Sequence, residues 1–232
     1  MDRDDEDAFE PGSGRWPWAA DWSAEGIIDV LEPLVLPPRR ERVLSVIAER
    51  LGNVTVLMDA PHDPHNGAAV MRSCDAFGVQ ALHVVPRIEP FLVSGGVAKG
   101  TQRWIDVVRH RTPEEAVTTL RQRGFELVAT HPEGELLPAE LSGIERLALV
   151  LGNEHDGICE ALEKAATRSV RIPMRGFVES LNVSVSAAIL LAAATRGRPG
   201  DLPEGEKRLL YARGLFRSVS QAARVLAAST PR

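Results

Sequence analysis

Short apolar runs alternate along the chain with segments of helical spacing. The apolar runs cover residues 54–58, 81–85, 105–108, 127–129, 147–151 and 170–172. They are rich in Val and Leu and bounded by turn residues, which is typical of strands buried on both faces of a parallel sheet. Helical spacing appears between them, at residues 68–77, 113–124 and 159–166. The alternation predicts an α/β domain with a parallel sheet and crossover helices.

Helical patterns also flank this predicted domain. A basic helix is predicted over residues 39–50, and further helices over 183–195 and 206–228, with a Gly-Arg-Pro-Gly break between the last two. We therefore divide the chain into four parts. They are an acidic leader at 1–36, a basic N-terminal helix at 37–52, a main domain at 53–197 and a C-terminal helical extension at 198–232.

The leader differs from the rest of the chain in charge. Residues 1–36 hold ten acids and two bases, or −8, whereas the remainder holds 22 acids and 25 bases, or +3. This composition predicts a flexible or loosely docked segment that is dispensable for folding. Three tryptophans, Trp16, Trp18 and Trp22, favour the alternative that the leader packs on the body or on a partner. The mildly basic remainder leaves RNA binding open.

Composition excludes several classes of protein. No apolar run approaches the roughly 20 residues of a membrane helix, and the acidic start of the chain is unlike a secretory or mitochondrial signal. Two cysteines cannot build a disulfide framework or a four-ligand zinc site. His62 and His65 are too few for a metal site, and Lys99 precedes Gly100 where a P-loop needs it to follow. We expect a cytoplasmic protein without a metal or membrane partner.

Three polar segments lie at predicted strand ends, where open α/β sheets bind ligands. In the first, residues 64–78, Asn66 fits the N-cap of a helix. Arg72 follows six residues later among small and apolar neighbours. Because burying a cation alone is costly, Arg72 should face a cleft or pair with an anion. An ion pair and a contact to a phosphate fit this pattern equally well.

The second and third segments follow later strands. Residues 149–158 run from a buried strand through Gly152 to Gly157, and glycine lets a backbone approach a ligand closely. Many strand ends share this pattern, so it is weak by itself. In residues 171–188, Ser180 and Asn182 precede a helix rich in Ala and Ser, which fits an N-cap and close helix packing.

Taken in order, the three segments resemble the signature motifs of the SpoU family of RNA 2′-O-methyltransferases, of the SPOUT class. The matching residues read N-x-x-A-x-x-R-x-C from Asn66, L-V-L-G-x-E-x-x-G-I from Leu149, and I-P-M-x-G-x-x-x-S-L-N-V-S-V-S from Ile172. The match extends over roughly 54–195. Within the family, the basic N-terminal helix and the C-terminal extension are most similar to those of the tRNA guanosine-18 enzymes. A leader of 36 residues is too short for the separate RNA-binding domain of many ribosomal-RNA members.

The resemblance implies a parallel-sheet SPOUT domain with a deep C-terminal trefoil knot, made by threading residues 170–195 through a loop. It implies a homodimer whose active site draws on both subunits. It also implies that S-adenosylmethionine binds in the knot, largely through backbone groups. The matching positions are Thr130, Gly152, Ile172, Met174 and Leu181.

The implied reaction is methyl transfer from S-adenosylmethionine to the ribose 2′-hydroxyl of guanosine 18 in the D-loop of tRNA. Asn66 is expected to orient Arg72, which assists removal of the hydroxyl proton. Arginine is a poor general base because it stays protonated in proteins. Either a substrate phosphate takes the proton, or Arg72 is transiently deprotonated. The remaining site positions are Glu154, Ser180 and Asn182.

The resemblance also matches five arginines to tRNA phosphate contacts. They are Arg39, Arg42, Arg50, Arg196 and Arg198. Two other functions are compatible with the sequence. One is a ribosomal-RNA methyltransferase with the same chemistry, and the other is an RNA-binding module that has lost catalysis. The presence of all five expected catalytic positions argues against the second.

Overall fold

The computed structural model describes Trp18 and residues 21–61, 63–86, 104–153 and 155–229. The described chain forms two compact units. The first, which we call the sheet unit, runs from Gly52 to Arg198. The second, the helical unit, combines the chain up to Leu51 with the chain from Pro199 onward.

The sheet unit is built on a six-stranded sheet with the strand order β3-β2-β1-β5-β4-β6. The pairs β1–β5, β2–β3, β4–β5 and β4–β6 are all parallel. The predicted α/β class with a parallel sheet is therefore confirmed, and every predicted strand overlaps an observed one. The strands are β1 Leu51–Asp59, β2 Val79–Val85, β3 Asp106–Arg109, β4 Glu126–Thr130, β5 Leu147–Leu151 and β6 Arg168–Val170.

Four described helices and a short 3₁₀ helix, Pro138–Gly143, surround this sheet. The helices α4 and α5 pack together over apolar side chains of β1, β4 and β5. The helices α3 and α6 pack against each other, and α6 also packs on the 3₁₀ helix. The four are α3 Pro64–Ala76, α4 Pro113–Gln122, α5 Glu160–Ala165 and α6 Val183–Ala194.

The segment between β6 and α6 belongs to no helix or strand. It leaves β6 at an edge of the sheet, and its last residue, Asn182, reaches the α3 residue Asn66. This path is compatible with the predicted trefoil knot, which stays a prediction.

The helical unit contains four described helices, two that precede the sheet unit in the sequence and two that follow it. The predicted helix over 206–228 is instead two helices, because Gln221 adopts a left-handed backbone with φ of 59°. The core of the unit contains side chains from all four helices. Their bounds are α1 Ala24–Leu31, α2 Pro37–Ala48, α7 Glu204–Ser218 and α8 Ala222–Ala227.

The prediction of a loosely docked leader is wrong for its described part. Trp18 and Trp22 are each only 8% exposed, and Trp18 lies against Phe216 of α7 with ring centroids 5.9 Å apart. Ser23 caps α1 by accepting a hydrogen bond from the Gly26 N–H at 3.0 Å. For Trp18 and Trp22, the alternative that the tryptophans pack on the body is the correct one. Residues 1–17 lie outside the described chain.

Within the described ranges, no helix is long and apolar enough to cross a membrane.

Candidate functional site

The strand order places a topological switch at the centre of the sheet. The chain continues from β1 to β2 on one side, whereas β5 and β4 lie on the other side. Ligands of open α/β sheets bind at the carboxyl ends of the strands at such a switch. The three polar segments found in the sequence follow β1, β5 and β6, so they leave the sheet at this edge.

The first segment forms α3, but Asn66 is not its N-cap. Asp63 caps the helix, and its Oδ1 accepts the His65 N–H at 2.8 Å. Asn66 lies in the first turn and is 9% exposed. Its Oδ1 accepts a hydrogen bond from the Asn182 Nδ2 at 3.0 Å. The sequence carries a signal for the true cap, since Asp followed by Pro at the first helical position is a common helix start.

Asn182 is the N-cap of α6, as the sequence predicted. Its Oδ1 accepts the Ser184 N–H at 2.8 Å and the Ser184 hydroxyl at 2.6 Å. With Oδ1 held by the helix, Nδ2 is turned toward Asn66. One side chain therefore ends the segment after β6, starts α6 and fastens both to α3. Ser180, two residues earlier, is exposed.

Arg72 is exposed on α3. No acid of the described chain forms an ion pair with it, so the ion-pair interpretation has no partner there. Six positions along a helix turn the side chain by about 120° relative to Asn66 and advance it by about 9 Å. The Asn66 and Arg72 side chains therefore point in different directions. The described hydrogen bond of Asn66 joins it to Asn182, and its expected role in orienting Arg72 stays a prediction.

The second segment is a compact turn after β5. A Cβ on Gly152 would lie 2.3 Å from the carbonyl carbon of Gly157, so only glycine fits this close backbone approach. Gly157 adopts φ of 70°. The Asn153 N–H donates to the Gly157 carbonyl at 3.1 Å, and its Oδ1 accepts the N–H groups of His155 and Asp156, both at 2.8 Å. Glu154 lies outside the described residues.

The expected cofactor positions converge on the ends of three neighbouring strands. Thr130 ends β4 and pairs with Val170 of β6, and Gly152 follows β5. A Cβ on Gly134 would lie 2.4 Å from the Val170 carbonyl carbon, so the loop after β4 packs tightly against the end of β6. All five positions are half-buried, and the remaining three are Ile172, Met174 and Leu181.

The five arginines expected to contact tRNA fall into two groups. Arg42 and Arg196 are exposed, and so is Arg39, whose Nε donates to the Ser218 hydroxyl at 3.1 Å. Arg50 is only 4% exposed, which does not fit a phosphate contact at the surface.

Arg198 also fits a phosphate contact poorly, because its guanidinium already donates hydrogen bonds to backbone carbonyls. Its Nε donates to the Ala194 carbonyl at 2.8 Å and its Nη1 to the Glu145 carbonyl at 3.0 Å. Its Nη2 donates to the carbonyls of Leu141, Ser142 and Ile144. Arg198 therefore ties the end of α6 to the 3₁₀ helix and the turn after it.

Two further polar features escaped sequence reasoning. Asp59, the last residue of β1, is 1% exposed and accepts the Cys159 N–H at 2.6 Å. His83 and His110 are both buried, and their rings stack on each other. The His83 Nδ1 and the His110 Nε2 lie 2.7 Å apart. The described chain contains no group of three or more His, Cys, Asp or Glu side chains that could hold a metal ion.

Comparison with known proteins agrees with this geometry. Residues 53–192 match the model of the SpoU rRNA Methylase family. The tRNA (guanosine(18)-2′-O)-methyltransferase of Escherichia coli K12 is 32% identical over 198 residues, which cover 81% of this chain and 86% of that enzyme.

Solved structures agree as well. The Aquifex aeolicus TrmH/SpoU tRNA modifying enzyme superposes with a TM-score of 0.71 at 28% identity, covering 79% of this chain and 98% of that one. The SpoU methyltransferase AviRb of Streptomyces viridochromogenes, solved in complex with the cofactor AdoMet, gives a TM-score of 0.58 at 28% identity, over 66% and 60% of the two chains. With its three motifs gathered at one sheet edge and its family match over more than half of its length, the chain belongs to the SpoU methylase family.

Proposed function

We propose that the protein transfers a methyl group from S-adenosylmethionine to the ribose 2′-hydroxyl of guanosine 18 in the D-loop of tRNA. The observation that carries the proposal is the hydrogen bond between Asn66 and Asn182, which links the helix bearing Arg72 to the segment after β6. The names of the curated relatives support tRNA as the substrate and guanosine 18 as the target. The family membership supports methyl transfer as the reaction.

The carboxyl edge of β4, β5 and β6 fits S-adenosylmethionine. Residues 172–181 belong to no helix or strand, so their N–H and C=O groups are available to a polar ligand. Together with Thr130 and Gly152, this segment supplies the contacts that we assign to the methyl donor, through Ile172, Met174 and Leu181. The donor carries its methyl group on a sulfonium and therefore supplies an activated leaving group.

Arg72 is the group that we assign to the ribose. Arg72 is exposed on α3, and arginine in general is a poor general base. We therefore favour a substrate phosphate as the acceptor of the hydroxyl proton, with Arg72 bridging that phosphate and the 2′-oxygen. Positioning and charge placement of this kind supply most of the acceleration in such a transfer. Asn66, Glu154, Ser180 and Asn182 shape the same site.

Exposed arginines are the proposed contacts to the tRNA backbone. Arg39 and Arg42 on α2 and Arg196 after α6 are exposed to solvent. Each phosphate that they neutralise releases counterions, so binding should weaken as salt rises. We leave Arg50 and Arg198 out of the proposed contacts, because Arg50 is buried and Arg198 donates to backbone carbonyls.

We propose that the protein acts as a homodimer in the cytoplasm. Exposed apolar side chains of the sheet unit support a dimer, since Val185 and Ile189 stand one turn apart on α6 at 46% and 38% exposure. Phe177 and Val178, in the segment before α6, are exposed as well.

The test is methylation of defined RNA with labelled S-adenosylmethionine. A tRNA transcript with guanosine 18 should take up label, and mass spectrometry should map the methyl group to that ribose. The same transcript already methylated at this 2′-oxygen should take up none. Label in ribosomal RNA alone would favour the ribosomal-RNA alternative. Binding of tRNA without any transfer would favour the catalytically inactive module.

A further inference from the structure

Asp59 is a buried carboxylate at the junction of two proposed active-site segments. It is the last residue of β1 and is 1% exposed. Met58 pairs with Leu151 in the parallel register, so Asp59 lies beside Gly152, where the turn after β5 begins. Burying a carboxylate is costly unless hydrogen bonds compensate it. Its position therefore calls for a reason.

The described hydrogen bond of Asp59 joins it to Cys159, which directly follows that turn. Its Oδ2 accepts the Cys159 N–H at 2.6 Å, across 100 positions in sequence. Cys159 is the N-cap of α5, and its own side chain makes no capping hydrogen bond. The simplest interpretation is that Asp59 caps a short helix from a neighbouring strand.

The turn itself makes that interpretation incomplete. The described residues of the turn, 152–153 and 155–158, are held together by the close approach of Gly152 to Gly157 and by the two hydrogen bonds to the Asn153 Oδ1. One end of the turn continues from β5, and the other end is held by Asp59. A compact turn that is fastened at both ends has little freedom to shift, so the bond to Asp59 restrains the position of Gly152.

Asp59 is also close to α3 along the chain. Ala60 follows with φ of 47°, a left-handed conformation that is rare for alanine, and its N–H donates to the Val85 carbonyl at 2.9 Å. Only three residues separate Ala60 from Pro64, where α3 begins. The direction in which the chain departs from Asp59 therefore sets where α3 starts, and α3 carries Asn66 and Arg72.

We propose that Asp59 is a positioning residue that fixes the methyl-donor turn relative to the helix carrying Arg72. The proposal rests on the proposed function, since it assigns Gly152 to the donor and Arg72 to the ribose. A shift of about 1 Å between reacting groups can cost about a hundredfold in rate. Loss of the carboxylate should therefore slow methyl transfer far more than it weakens tRNA binding.

The experiment compares Asp59→Ala and Asp59→Asn with a matched control, Thr55→Val. Thr55 lies on the same strand, is 1% exposed and donates a hydrogen bond to the Ala81 carbonyl at 2.8 Å. The control removes a buried hydrogen bond of β1 without touching the turn. Thermal melting, calorimetric binding of S-adenosylmethionine and single-turnover methylation of tRNA are measured on each purified full-length protein.

We expect Asp59→Ala to reduce the single-turnover rate about a hundredfold and to weaken S-adenosylmethionine binding. Asp59→Asn keeps an acceptor oxygen but loses its charge, and a neutral acceptor bonds about half as strongly. Its rate should fall by about tenfold. Thr55→Val should melt earlier than wild type but bind the donor and turn over normally at temperatures below its melting point. The KM for tRNA should be unchanged in all three variants.

Two results would overturn the inference while leaving the proposed function intact. The first is an Asp59→Ala protein that melts early but resembles Thr55→Val in donor binding and turnover, because the residue would then only stabilise the fold. The second, if Asp59→Ala does not fold, is wild-type turnover in Asp59→Asn. A wild-type protein that neither binds S-adenosylmethionine nor methylates tRNA would overturn the proposed function, and this inference with it.

Discussion

Arg72 is an exposed cation on a helix anchored at its first turn by the bond between Asn66 and Asn182. Lysine cannot reproduce a guanidinium that bridges a ribose oxygen and a phosphate, because an ammonium lacks the planar bidentate geometry. We therefore expect Arg72→Lys and Arg72→Ala each to lower kcat by a factor of about 10² to 10³. Melting temperature and S-adenosylmethionine affinity should change little, and both are measured on the same preparations. Near wild-type turnover in Arg72→Lys would contradict the role.

Arg196 and Arg198 are two positions apart but should behave in opposite ways. The Arg198 guanidinium donates to carbonyls of α6, the 3₁₀ helix and the turn after it, whereas the Arg196 side chain is exposed. Hydrogen bonds to a charged group contribute about 1.5–3 kcal/mol each, so Arg198→Met should lower the melting temperature clearly. Arg196→Ala should leave it unchanged and instead weaken tRNA binding at low salt. Denaturation and filter binding of both variants decide the matter, and interchanged effects would refute the assignment.

His83 and His110 make the stability of the sheet unit depend on pH. Burial lowers the pKa of His83 to about 3, with smaller contributions from His110 and Arg123, and burial also lowers the pKa of His110, against the opposing effect of Glu115. The unfolded chain binds these protons near pH 6.5. The folded state therefore has its full stability above pH 6.5 and loses it as the pH falls from 6.5 toward 3.

We predict that wild type loses more free energy of unfolding between pH 7.5 and 5.5 than His83→Asn does. Asparagine removes one of the two buried titrating rings while keeping a polar side chain. Urea unfolding at the two pH values measures the difference. An equal loss in both proteins would mean that other groups control the acid sensitivity.

At the scale of elements, α1 is a structural part of the helical unit. Glu25 of α1 forms an ion pair with Arg208 of α7, and Glu32, which follows α1, pairs with Arg40 of α2 at 3.3 Å. The buried Trp22 lies in the same core. Replacing a buried tryptophan by alanine typically costs about 3–5 kcal/mol.

Trp22→Ala should therefore destabilise the protein strongly. Leu36→Ala is the matched control, because Leu36 is 76% exposed although it lies in the same predicted leader. Chemical denaturation of both variants separates the two interpretations of this segment. Equal stability of the two variants would restore the original prediction of a loosely docked leader.

The sequence predicted the elements of the sheet unit well because their pattern is local. Buried strands show as short Val- and Leu-rich runs, and the predicted run at 147–151 matches β5 to the residue. Helix starts were less accurate. The apolar pattern places the start of α3 at residue 68, whereas its cap is Asp63, five residues earlier.

The remaining errors share a cause. Asn66 bonds to a residue 116 positions away, and Arg198 bonds to carbonyls more than 50 positions away. A single sequence contains no local signal for such partners, so the local pattern predicts only a helix cap for Asn66, and for Arg198 only the family resemblance offers a partner, a phosphate. The net charge of the leader predicts a loosely docked segment, whereas the helix within it carries an apolar stripe, Ile27, Ile28 and Leu31, that is buried in the core.

For the whole molecule, the apolar residues exposed on α6 lead to a prediction about assembly. If Val185 and Ile189 lie in the interface of a homodimer, charged replacements cannot be accommodated there. The double variant Val185→Glu, Ile189→Glu should be monomeric and inactive, by light scattering and methylation. Leu44→Glu, at a residue 48% exposed on α2, is the control and should stay dimeric. A fully active monomer in the double variant would exclude a shared active site.

The helical unit is assembled from both sides of the sheet unit in sequence, and this has a consequence during synthesis. Helices α1 and α2 leave the ribosome first, but their apolar partners on α7 and α8 emerge only after the whole sheet unit has been made. The residues of the sheet unit therefore leave the ribosome before α7 and α8 do, whereas α1 and α2 must wait for those helices to complete their core. Until α7 and α8 have left the ribosome, Trp18, Trp22 and Ile27 stay open to chaperones.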